Sequence, residues 1–190
     1  MLVLEPVGDT EAATVELTRR GVAHSEPDAY TFKDAGGKET VGWTNTGLNG
    51  TGLSDIALIC DYKIRNKVAN MHQKGAEELV QAHGGRLGIR RLETIEVGVT
   101  NLASARLEWR KLIDTPGQEQ GNVFHFGAGP SIQLVSAASP GIRGIVLQVD
   151  SLQRAKTILA QRQMLTATSG SSVSIAPATI GGLTVTLVGE

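Results

Sequence analysis

Cysteine is nearly missing from this chain. Cys60 is the only one in 190 residues, so no disulfide can close within it. Its setting, Asp55-Ile-Ala-Leu-Ile-Cys60, is apolar and suits a packed, inert thiol rather than a nucleophile. An excess of either charge is missing too. Lys and Arg number 18 against 19 Asp and Glu, for a net charge of −1, and no Lys/Arg cluster stands out. Nucleic acid and anionic membrane surfaces need a concentrated positive face and are not expected as partners. No apolar run approaches the roughly 20 residues that span a bilayer, and residues 1–8 carry Glu5 without a basic segment. The expected location is therefore the cytoplasm, with no membrane contact. What remains is a chain with 41% hydrophobic residues, enough to bury a core in one large domain or two small ones.

One short phrase occurs three times. Val7-x-Asp9-x-x-x-Ala13, Val99-x-Asn101-x-x-x-Ala105 and Val149-x-Ser151-x-x-x-Ala155 each end an apolar run, and each is followed by a large apolar residue, Leu17, Trp109 or Leu159. The apolar run suits a strand, and Asp, Asn and Ser satisfy free N–H groups at a helix start. The next apolar residues recur at helical spacing. Each copy reads as strand, cap, helix, with Trp109 in the core of its copy rather than as a stacking platform.

Further strands follow each copy. The last continues with apolar alternation at 173–175 and 183–187, and the middle one with 123–126 and 131–135, separated by the turn-forming Gly127-Ala-Gly-Pro130. The first has strand 2–7, a helix over 10–20 closed by Gly21, then strands at 30–32, 41–44 and 56–60. Gly47-Leu-Asn-Gly50 reads as a turn. It is no phosphate loop, because no strand leads directly into it and no helix follows. The three valines are separated by 92 and 50 residues, and the excess in the first gap is the stretch 63–91. There Val68, Met71, Ala76, Leu79 and Val80 make a partly apolar helix face, with Gly84-Gly85 to end it. The expected organisation is a single βαβββ-like module over 1–62, a connecting helix over 63–91 and a paired-module domain over 92–190.

Ile95-Glu-Val-Gly-Val-Thr-Asn-Leu-Ala-Ser-Ala105, Ile145-Val-Leu-Gln-Val-Asp-Ser-Leu-Gln-Arg-Ala155 and the closing Gly182-Leu-Thr-Val-Thr-Leu-Val188 resemble the module openings and last strand of the vicinal oxygen chelate superfamily, the glyoxalase, bleomycin-resistance and dihydroxybiphenyl dioxygenase type. Phe126-Gly-Ala-Gly-Pro-Ser-Ile-Gln-Leu134 and His72-Gln-Lys-Gly-Ala76 are similar to bacterial glyoxalase-like domain proteins. The resemblance implies an α+β fold of βαβββ modules, two of them paired into one cup-shaped mixed sheet, with one extra N-terminal module here. It also implies a divalent metal in the cup. One of its ligands, usually His or Gln, lies five residues before each valine, at Leu2, Thr94 and Gly144. Another, usually Glu, lies on each last strand, where Gln133 and Thr186 align. Leu and Gly have no donor and a Thr hydroxyl is a weak one, so no cofactor is expected, a divalent metal remaining the alternative.

Alternation then says what lines the cup. If Ile95, Val97 and Val99 pack on the helix, Thr94, Glu96 and Gly98 face the other way, and so do Ser131 and Gln133, Gly144, Val146 and Gln148, and Thr184 and Thr186. His125 is apolar-flanked at both parities. The expected ligand-binding residues are Thr94, Glu96, His125, Gln133, Gln148, Thr184 and Thr186, with Gln133 and Gln148 as a pair on neighbouring strands. Glu96 is the candidate catalytic residue, a general base if burial raises its pKa; the plainer reading is a solvated carboxylate at the mouth. His125 and His72 are each either a reactive or ligating group or an ordinary polar residue. The expected function is capture of a neutral or amphipathic small molecule without the usual metal. The alternative is a lyase, isomerase or dioxygenase using a non-standard metal site or Glu96 as base. The unpaired N-terminal module leaves an uncovered strand edge and points to a homodimer, or else to a piece of a four-module protein.

Overall fold

The computed structural model describes residues 1–50, 52–113, 119–126 and 129–190, with the side chains of 65 and 179 excepted. In chain order the elements are β1 (Leu2–Leu4), α1 (Thr10–Arg19), β2 (Asp28–Lys33), β3 (Glu39–Gly47), β4 (Ala57–Tyr62), α2 (Arg65–Gln81), β5 (Ile89–Val99) and α3 (Leu102–Ile113). They continue with β6 (Glu119–Gln120), β7 (Val123–Phe124), β8 (Ser131–Ser136), β9 (Gly141–Val149), α4 (Leu152–Gln161), β10 (Leu165–Thr168), β11 (Ser172–Ile175), a 3-10 turn (Pro177–Ile180) and β12 (Thr184–Gly189).

Three βαβββ modules account for all of them except α2, which lies between the first and second, and the 3-10 turn before β12. One sheet has the order β1-β4-β3-β2 and the other β10-β11-β12-β9-β5-β8-β7-β6. In each module the first strand lies beside the fourth, then the third, then the second. The second and third modules share one mixed, cup-like sheet because their first strands, β5 and β9, are neighbours. The first module keeps its own four strands. First and fourth strands pair in parallel in the first and third modules, and the intervening chain that this pairing requires is the helix and two strands of the module.

The three caps inferred from the repeated phrase are formed. Asp9 accepts from Ala12 N at 2.8 Å, Asn101 from Ser104 N at 3.0 Å and Ser151 from Arg154 N at 3.2 Å, each closing the N–H three residues on. Helix ends are equally local. Gly21, with φ +66, closes α1 while Gly21 N reaches Thr18 O and Val22 N reaches Leu17 O, the double bond of a left-handed C-terminal cap. His83 and Gln163 hold the same place after α2 and α4 with φ of +48 and +55.

The chain divides into two compact units, one of residues 1–71, 99–117 and 136–141 and the other of 72–98, 118–135 and 142–190. The first unit holds β1–β4, α1 and also α3, although α3 follows the second module's first strand. The contacts show why: Trp109, fully buried, donates its indole N–H to Gly52 O at 2.8 Å, and Arg20 Nη1 donates to Leu112 O at 2.9 Å. Gly52 lies so close to Ala105 that a Cβ there would overlap it. The second unit holds the body of the eight-stranded sheet and α4. Its core is α4 laid on the sheet, with Ala155 and Leu159 against Val149, Val173, Ile175, Val185 and Leu187.

Several strand bounds differ from the sequence reading. β1 stops at Leu4, and Val7 is fully exposed where Val99 and Val149 are fully buried; the first copy keeps the cap and helix of the phrase but not its strand register. β5 begins at Ile89, inside the stretch 63–91 read as a connecting helix. β6 and β10 were not legible: β6 is two residues of Glu-Gln, and β10 is Leu-Thr-Ala-Thr, an outer strand whose last three residues are exposed. Of the expected apolar face of α2, only Val68 and Leu79 are half buried, while Met71 and Val80 are exposed. In the Gly127–Pro130 turn, residues 127 and 128 lie outside the described residues.

Candidate functional site

The eight-stranded sheet has one face of buried apolar side chains and one open face. On β8, Ile132 and Leu134 are buried while Ser131 and Gln133 are half exposed; on β12, Val185 and Leu187 are buried while Thr184 and Thr186 are half exposed. β11 repeats the pattern, with Val173 and Ile175 inside and Ser172 and Ser174 outside. This is the alternation of a sheet with one covered face. Along β5, Thr94 and Glu96 are half buried and share their parity with Gly98. Along β9, Gly144, Val146 and Gln148 alternate with Ile145, Leu147 and Val149, which pack toward α4.

Register arranges the open face in rows. Thr184 stands opposite Gly144, Thr186 opposite Val146 and Val188 opposite Gln148. Ser174 stands opposite Thr186, with their hydroxyls 3.3 Å apart. A Cβ at Gly144 would overlap Glu96 Oε2 and come within 2.9 Å of Thr184 O. The missing side chain at 144 is thus what lets the Glu96 carboxylate lie across β9 toward Thr184. His125 lies just past β7, where Phe124 is 1% exposed and paired with Ile132, so Val123 faces Gln133 on the open side. The His125 ring follows, with Nδ1 2.9 Å from Ser131 Oγ.

The structure brings several of the sequence-derived residues together. Glu96 and Thr184 come together at Gly144, and Thr186 joins Ser174. His125 joins Ser131, beside Gln133, on the β7–β8 side. Gln133 and Gln148 are not on neighbouring strands: β5 lies between β8 and β9, which corrects the expected pair. His72 is exposed on α2. Ser172 and Ser174 were missed, although the buried Val173 and Ile175 already fixed their parity.

Among the open-face positions of β5, β8, β9, β11 and β12 from 94 onward, Glu96 is the one charge; Arg90, at the start of β5, pairs with Asp150. The Glu96 carboxylate has no hydrogen bond or ion pair with a described residue. For the divalent metal that the sequence resemblance implies, the residues at the expected ligand positions are a poor donor set. Thr94 and Gly144 hold the first-strand positions, Gln133 and Thr186 the last-strand ones, and among the described residues no three of His, Cys, Asp and Glu converge.

The first unit carries a different face. Tyr30 opposes Trp43 and Trp43 opposes Tyr62, so β2, β3 and β4 present three aromatic rings in one row. Tyr30 and Trp43 are stacked, with ring centroids 4.1 Å apart and planes 9° from parallel. Cys60 lies on the same side and is 3% exposed; burial pushes its thiol pKa up, and likewise the Tyr62 hydroxyl. On the covered side, Asp61, 1% exposed, accepts from Lys63 Nζ at 2.5 Å, which raises the Lys63 pKa. The register, not any local motif, assembles the aromatic row.

Comparison with solved structures is decided by fold rather than sequence. No family model and no curated protein matches the chain. A hypothetical protein from Staphylococcus aureus superposes over 99% of this chain and 65% of its own, at TM-score 0.59 and 12% identity. Catechol 2,3-dioxygenase superposes over 99% of this chain and 67% of its own, at TM-score 0.53 and 10% identity. The chain has the vicinal oxygen chelate fold. It spans about two thirds of the length of these two structures. Methylmalonyl-CoA epimerase from Mycobacterium tuberculosis aligns with 55% of the chain and 90% of its own length, at 18% identity and TM-score 0.41. At 10–12% identity the first two superpositions show a shared fold and assign no chemistry.

Proposed function

We propose that this protein binds a neutral or amphipathic small molecule on the open face of its eight-stranded sheet, without a metal, using Thr94, Glu96, His125, Gln133, Gln148, Thr184 and Thr186. The supporting observation is the composition of that face: hydroxyls, amides and one carboxylate set on a rigid sheet, with Val146 and Val188 among them. A few convergent polar groups beside apolar ones is the usual chemistry of a small-molecule site. In the same reading the protein is cytoplasmic and self-associates through its N-terminal module as a homodimer.

A thermal-shift screen of small molecules, followed by recovery of each hit, tests the reading. A ligand should raise the melting temperature, lose affinity in Thr186→Val and Glu96→Gln, and be recovered chemically unchanged. A hit whose affinity ignores both substitutions rejects the site.

Glu96 supports a second reading, as general base. A half-buried carboxylate lying free of cations over Gly144 is placed to take a proton from a bound ligand. Incubating the hit in D2O separates the two: deuterium incorporated by the native protein and not by Glu96→Gln makes it an enzyme, and unexchanged ligand leaves it a binder.

A further inference from the structure

We infer that the open face of the first unit's four-stranded sheet is a second small-molecule site, one that takes a planar aromatic cation on the Tyr30–Trp43–Tyr62 row. Composition singles the row out. The chain has two tyrosines and two tryptophans, and both tyrosines and one tryptophan stand in it. They do not fill the core: Tyr30 is 50% exposed on the outer strand β2, and Trp43 and Tyr62 are half buried. Clustered rings left at a surface mark contact sites, where single exposed apolar residues do not. The Tyr30 and Trp43 rings lie parallel at stacking distance on paired strands, so a flat ligand meets a stack ordered in advance.

Charge decides which flat ligand. One step along the strands from the rings, Asp28 stands opposite Asn45 and Asn45 opposite Cys60. Val3 stands opposite Leu58, so by alternation Glu5, just past β1, is on the same side as Cys60. Burial first, with the Glu5 charge among the lesser causes, raises the pKa of Cys60 and Tyr62, which puts the Glu5 carboxylate within electrostatic reach of the rings. This polar row thus has a carboxylate near each end. Neither Glu5 nor Asp28 has a hydrogen bond or ion pair with a described residue, and the Asn45 amide and the Trp43 indole N–H have no hydrogen bond with one either. Glu39, further along, is engaged: Thr31 donates to it at 3.0 Å, and Lys33 stands opposite. Aromatic faces attract cations, tryptophan most strongly. Unpaired carboxylates beside them attract the same ligand and repel anions. The open amide and indole N–H are left to hydrogen-bond substituents on the ligand ring.

Calorimetric titration of the native protein with N-methylquinolinium, set against neutral quinoline and anionic naphthalenesulfonate, reads this chemistry. The cation should bind, quinoline should bind about tenfold more weakly, and the sulfonate should not bind. Asp28→Asn combined with Glu5→Gln changes two exposed side chains and should weaken the cation about tenfold while leaving quinoline unchanged. Trp43→Leu should weaken both ligands. Should Trp43→Leu unfold, Tyr30→Ala on the exposed outer strand takes its place, with the same loss expected. No binding of the cation at millimolar concentration overturns the inference, and so does equal affinity for quinoline. A cation affinity that ignores the paired carboxylate substitutions overturns it as well. Binding that survives Trp43→Leu and is lost in Glu96→Gln puts the ligand on the eight-stranded sheet and overturns the site.

Discussion

At the scale of single residues, Gly144 carries the most information about the open face. Its Cβ is absent where Glu96 Oε2 lies and where Thr184 O is 2.9 Å away. Gly144→Ala must push the carboxylate aside or shift β12, and overpacking of this kind costs about 1–3 kcal/mol. Urea unfolding should show that loss, chiefly from the Thr184 O contact, since Glu96 Oε2 ends a flexible side chain; a variant as stable as the native protein would mean that the backbone at Thr184 gives way without cost. Glu16 shows a second residue-scale effect. Arg19 donates to both its oxygens at 2.7 and 2.6 Å, and Arg20 to one at 2.7 Å, and these hydrogen bonds hold its pKa near 2, below the usual 4.5. A folded pKa below the unfolded one stabilises above pH 4.5, and that stabilisation is lost as pH falls from about 4.5 through 2. The site is solvent-exposed, so the effect is small and screened by salt. Glu16→Gln should flatten the acid limb in that window by slightly lowering neutral and alkaline stability, whose slope with pH stays unchanged.

At the scale of elements, helix starts and ends are written locally, which is why the sequence exposes them. Asp9, Asn101 and Ser151 were readable as caps because each acts on an N–H three residues away. Gln163 ends α4 with φ +55, a conformation that costs a side-chain-bearing residue roughly 1–2 kcal/mol and glycine much less. Gln163→Gly should raise the thermal midpoint, partly offset by the greater freedom of glycine in the unfolded chain. Asp9→Ala should lower stability by about 1 kcal/mol. A lowered midpoint in Gln163→Gly would show that the side chain contributes more than its backbone strain costs. Strands were less legible. β6 and β10 are outer strands with no buried alternation to betray them, and β1 stops at Leu4, before Glu5-Pro6 and the exposed Val7.

At the scale of the whole molecule, the repeat count fixes three modules and the sheet order fixes which of them join. Among the described residues no three of His, Cys, Asp and Glu converge, and the proposed site is read as metal-free. Dialysis against a chelator should leave the thermal midpoint unchanged, and added Mn or Zn ions should not raise it. Stoichiometric metal that stabilises the protein and is lost in Gln133→Ala would put a non-standard centre on this face.

Parity of residues about Ile132, Val173 and Val185 was determined by sequence alone, because side chains alternate at period two whatever the partner strand is. So were the three caps and the C-terminal glycine of α1, all of which act within a few residues. Only the tertiary structure decided that Glu96 lies over Gly144, that β5 separates Gln133 from Gln148, that Tyr30, Trp43 and Tyr62 share a row, and that α3 belongs with the first module's sheet. These depend on strand order and register between segments far apart in the chain, and one sequence does not encode its pairings locally.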